Sequence, residues 1–79
     1  YPNPFNPVTR IEYSVARHSH VEITVYTVSG EKLATLVNKE QAAGSYRVSW
    51  DASTHASGVY VYQIQADDFV QSRKMLLIK

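Results

Sequence analysis

Cysteine is absent from the 79 residues. Disulfides, thiolate metal sites and cysteine nucleophiles are therefore excluded together, although no redox compartment is chosen. An excess of charge of one sign is missing too, since eight Lys and Arg against seven Asp and Glu leave a net charge of +1. The signs are interspersed, Arg10 with Glu12, Glu31 with Lys32 and Lys39 with Glu40. No basic stripe exists to hold nucleic acid or an anionic membrane. Nor is there a long hydrophobic run: the longest mostly apolar stretch, Met75 to Ile78, is far short of a membrane span, and the opening residues lack the pattern of a signal peptide. A chain of this length makes one domain that buries only about 60% of its unfolded surface, which leaves no room for a large active-site cavity.

What is present is alternation. Hydrophobic residues make up 44%, with six tyrosines, two phenylalanines and one tryptophan, and they recur with the period of two of half-buried strands. Val8 to Val15 places Thr9, Ile11, Tyr13 and Val15 on one face against Arg10, Glu12 and Ser14. A second run puts Val21, Ile23 and Val25 inward, with Glu22, Thr24 and Tyr26 on the solvent side, and stops at Ser29-Gly30. Glu31 to Val37 reads as a third strand, although residues 32–36 could also make one helical turn; the glycine-bounded hairpin favours strand. Asn38 to Ala43 reads as a loop crossing between sheets.

Two Gly-x-Tyr units, Gly44-Ser45-Tyr46 and Gly58-Val59-Tyr60, open the next two strands, Tyr46 to Trp50 and Val59 to Ala66. Glycine supplies the positive φ needed where a loop turns sharply into a strand. The second of these strands is apolar on both faces, as expected mid-sheet. Asp67-Asp68 is a tight connection into a last strand, Phe69 to Ile78. The expectation is an all-β, immunoglobulin-like sandwich of six or seven antiparallel strands. Pro2, Pro4 and Pro7 stiffen residues 1–7 into an extended segment with Phe5 as a plug. It reads as a lead-in from an upstream domain missing here, with residues 8–79 as the sandwich.

Candidate chemistry is thin. His18, His20 and Glu22 share a strand face, a weak candidate for Zn²⁺, but on the solvent side polar residues need no such reason. Asp51, His55 and Ser57 supply the residue types of a hydrolase triad, yet triads are made by geometry across a fold, and a polar loop is expected there anyway. A sugar-stacking platform of aromatics is a third candidate, with Tyr26 the best exposed; Tyr46 and Trp50 pattern with the core, as does Tyr60 or Val59 depending on which face of their strand is inward. No catalytic residue and no cofactor is expected. The last strand is the oddest feature. Its apolar side chains serve both faces, so either it is central and covered, or its outer face is a surface that a partner reads.

The opening Tyr-Pro-Asn-Pro-Phe-Asn-Pro, the Val-Tyr-x-Val-x-Gly segment ending at Gly30, Ala-Gly-Ser-Tyr at 43–46, Ala-Ser-Gly-Val-Tyr-Val-Tyr at 56–62 and Lys-Met-Leu-Leu-Ile-Lys at 74–79, in that order, resemble the type A C-terminal sorting domain of the type IX secretion system. The chain is also similar to the immunoglobulin-like domain of flagellar hook-capping proteins. The resemblance implies a sorting signal, not an enzyme, at the C-terminal end of an exported protein of Gram-negative bacteria. Such a domain crosses the periplasm, is recognised by translocon, shuttle and sortase components, is commonly cleaved off, and leaves its upstream cargo at the cell surface or outside the cell. By position, Pro2, Asn3, Pro4, Phe5 and Pro7 match the opening motif, and Gly30, Gly44, Tyr46, Gly58 and Tyr60 the internal ones. Lys74, Met75, Leu76, Leu77, Ile78 and Lys79 match the terminal strand on which recognition is thought to depend. A departure is Thr54-His55, where the family often has a Gly-Leu-like pair. The alternative expectation is an accessory carbohydrate-binding or structural module of a secreted enzyme. A weak homodimer through edge strands is a further expectation.

Overall fold

Residues 8–78 are described by the structure, a computed structural model; the expected lead-in of residues 1–7, and Lys79, lie outside them. Alternating side chains become strands wherever one face can be buried, and six strands form among the described residues: β1 (Val8–Val15), β2 (Ser19–Thr27), β3 (Lys32–Gln41), β4 (Gly44–Asp51), β5 (Gly58–Ala66) and β6 (Phe69–Leu77). All pairings are antiparallel. β1 pairs with β4 as one sheet, and β3-β2-β5-β6 form the other. The all-β sandwich of immunoglobulin-like type expected from the alternation is the fold observed, with six strands, and β5 lies inside its sheet as its two apolar faces predict.

The inward rows are those the period of two selects. Ile11 and Val15 of β1 pack with Val21, Ile23 and Val37 across the gap between sheets. A second cluster joins Val25, Trp50, Ala52 and Leu77. Val21, Ile23 and Val25 are fully buried, each contributing about 1.5–3 kcal/mol relative to exposure. The two clusters occupy opposite poles of the sandwich, bridged by Leu36, Tyr62 and Met75. The Trp50 pole holds the start of β1, through Val8 opposite Asp51, and the end of β6, through Leu77 opposite Gly58.

Connections follow from local chemistry. Between β2 and β3, Gly30 takes φ +98, its N–H donates to the Thr27 carbonyl at 3.0 Å, and the Thr27 N–H donates to the Glu31 carbonyl at 2.9 Å. This is a three-residue hairpin loop with glycine where a side chain would strain the backbone. Between β5 and β6, Asp67 takes φ +52 in the two-residue turn, a conformation Asp tolerates. Two sequence expectations are corrected, and a third, the strand reading of residues 32–36, holds. Residues 38–41 continue β3 rather than forming a loop, so only Ala42 and Ala43 make the crossing between sheets; Asn38 and Gln41 face partners on β2, Glu22 and Ser19, which holds the strand extended. Residues 32–36 are strand, not a helical turn, because β2 supplies their ladder. Thr24, expected on the solvent side, is only 3% exposed, covered as a residue of an inner strand flanked by Gln63 and Thr35.

Candidate functional site

The two Gly-x-Tyr units prove to be one device used twice. Gly44 and Gly58 take φ +156 and +154, and the tyrosine two residues on folds back so that its hydroxyl donates to the carbonyl four residues upstream: Tyr46 to Ala42 and Tyr60 to Ala56, each at 2.6 Å. Each is a tyrosine corner of the kind immunoglobulin-like sandwiches use to pin a loop to the strand it enters. The rings then pack: Tyr46 stacks on Tyr13 with centroids 5.5 Å apart, and Tyr60 meets the edge of Trp50 at 5.3 Å. The extended signal was legible as Ala-x-Gly-x-Tyr at both places. Pairing it with an upstream carbonyl needed the fold.

That packing removes the platform. Trp50 is buried, Tyr13, Tyr46, Tyr60 and Tyr62 turn toward the core, and Tyr26, expected to be the best exposed, is half-buried on the outer sheet face. No row of exposed rings lies on one face among the described residues. The candidate triad is not assembled either. The Asp51 carboxylate accepts from the Ser53 N–H at 3.0 Å, and hydrogen bonds from the Ser53 backbone and hydroxyl hold it below the usual carboxylate range. His55 sits against Trp50 at 5.3 Å instead.

His18 and His20 do converge, but not with Glu22. His18 Nε2 lies 2.9 Å from one Glu40 oxygen and His20 Nδ1 3.3 Å from the other, while His20 Nε2 lies 2.6 Å from Asn38 Oδ1. The register of β2 on β3 sets His20 opposite Glu40, a cross-strand partner that the sequence pattern of β2 alone does not show. Among the described residues no group of three His, Asp or Glu is placed to hold a metal ion.

The last strand divides by parity. Leu77 is 4% exposed and Met75 half-buried, both inward; Leu76 is 66% and Ile78 74% exposed. Leu76 lies opposite Val59, itself exposed, and Lys74 opposite Val61. Of the two alternatives posed by the sequence, the first is excluded: β6 is not central but forms the margin of its sheet, with an apolar outer face at its end. Its nine pairs with β5 run without a shift, in contrast to β3, whose pairing with β2 is broken by two irregularities. Beside β6 the sandwich is open. A groove of about 460 Å³ runs between β1 and the inner face of β5 and β6, lined among others by Glu12, Tyr13, Tyr62, Gln71 and Arg73. A regular margin with a groove beside it is a shape that could accept another extended segment.

The family motif residues Pro2, Asn3, Pro4, Phe5 and Pro7, and the terminal Lys79, lie outside the described residues. A family model described as the secretion system C-terminal sorting domain matches residues 1–79, the full chain. No curated protein and no solved structure matches.

Proposed function

The chain belongs to the secretion system C-terminal sorting domains, the sorting signals of type IX secretion, and from that premise we propose that the β6 margin is the part the export machinery reads. A sorting signal of this type sends its cargo to the cell surface or the extracellular space, and the sorting domain itself is not catalytic. The carbohydrate-binding alternative is not favoured, because the rings it would use are packed inward.

The observation carrying the proposal is the split of β6 into buried Met75 and Leu77 and exposed Leu76 and Ile78. Side chains of one parity anchor the strand; those of the other, with Lys74, remain for a partner. Strand addition then draws affinity from backbone hydrogen bonds and specificity from side-chain pockets. In this reading residues 1–7 join the sandwich to an upstream cargo, the domain is met in the periplasm by shuttle and translocon, and a sortase removes it after passage.

The test is a transplant. A periplasm-directed fluorescent protein carrying residues 1–79 at its C-terminus, in a bacterium with a working type IX system, is expected at the surface or in the medium. The same fusion with L76D and I78D, both at exposed positions, is expected to stay folded in the periplasm. Equal export of both fusions would refute the role given to β6.

A further inference from the structure

A regular uncovered strand is a hazard as well as a docking site, because its unpaired backbone groups suit a second copy as readily as a partner. Antiparallel two-fold pairing with full overlap sets the midpoint of a strand against itself, and the midpoint of Phe69–Leu77 is Arg73. Every other pair in that register is compatible. Val70 meets the copy's Leu76, Phe69 its Leu77, Gln71 its Met75 and Ser72 its Lys74. The one opposed pair is Arg73 against Arg73, and like charges directly opposite one another weaken a ladder.

Arg73 also has no counter-ion among the described residues. It is exposed at the lip of the groove beside β6, and no carboxylate pairs with it or with Lys74 among the described residues. The one acidic residue lining that groove, Glu12, lies 3.6 Å from Arg47. We propose that Arg73 turns the β6 margin away from a second copy and toward an extended strand of another protein bearing a carboxylate opposite Arg73 and apolar side chains opposite the exposed Phe69 and Leu76. This rests on the reading of β6 as the recognised margin, and it restricts the expected homodimer through edge strands: at β6, self-pairing is opposed by charge.

The R73E variant of the 79-residue chain serves as the acidic strand, since it keeps the apolar flanks and reverses only the central charge. In sedimentation velocity the wild type alone and R73E alone are expected to be monomers, while an equimolar mixture associates about tenfold more tightly than either alone and loses that gain in high salt. The neutral variant R73Q is expected to self-associate. In the export assay R73E should lower surface delivery about tenfold through like-charge contact with the acidic partner strand, with R73K close to wild type. A monomeric mixture, a monomeric R73Q, or normal export of R73E overturns the inference. If R73E is exported normally while L76D/I78D is retained, the charge preference falls and β6 stands as the recognised margin. If both are exported, the reading of β6 falls with it.

Discussion

Tyr46 and Tyr60 each close a five-residue ring of chain with a single hydroxyl, so their removal separates the hydrogen bond from the ring packing. Tyr60→Phe keeps the contact with Trp50 and loses only the bond to Ala56, an expected cost of about 1 kcal/mol in urea unfolding. Gly58→Ala acts differently. A Cβ there would meet nothing within 4 Å, so its cost is backbone strain at φ +154, of order 1–3 kcal/mol. A combined variant that loses much less than the sum would show that glycine and tyrosine work as one corner. At this scale the sequence was readable as far as residue type and spacing reach. The Gly-x-Tyr pairs announced positive φ before a strand, and both glycines have it. The union of His20 with Glu40 was not readable, because it depends on how one strand is registered against another, and nothing in the alternation of β2 alone fixes that.

Among the elements, β6 sets buried Leu77 beside exposed Leu76 and Ile78. Leu77→Ala removes a side chain from the buried cluster that includes Trp50 and Ala52 and is expected to cost about 2–5 kcal/mol. Leu76→Ala, one residue earlier and on the open face, is expected to change stability by no more than about 0.5 kcal/mol and to reduce export. Thermal melts beside the fluorescent export assay separate the two, and a Leu76→Ala variant exported like the wild type would deny the outer face a role. The strands themselves were legible from period and turn residues. β3 was underestimated because Asn38, Lys39 and Glu40 look like a polar loop when read alone; as a sheet margin with one face in water, a strand tolerates such residues as long as Val37 and Gln41 reach the interior. Whether β6 was central or marginal could not be read from residues apolar on both faces, since strand order is a property of the whole sheet.

For the molecule as a whole, two chain positions matter beyond their local contacts. Val8, where β1 begins, and Leu77, where β6 ends, lie at the same pole, and β1 is held by β4 alone as β6 is by β5 alone. Tension between them loads each ladder at its terminal pair, across the strands rather than along them, so the hydrogen bonds yield in succession as in a peel. Between Val15 and Leu77, at opposite poles, the same tension runs lengthwise and many bonds must fail together. Optical-trap pulling through handles at positions 8 and 77 is therefore expected to open the domain at a lower force than pulling through 15 and 77, and equal forces would show that the core, not the geometry of the ladders, sets mechanical strength. The same domain is thus expected to yield to tension between positions 8 and 77 and to resist tension run lengthwise along its strands.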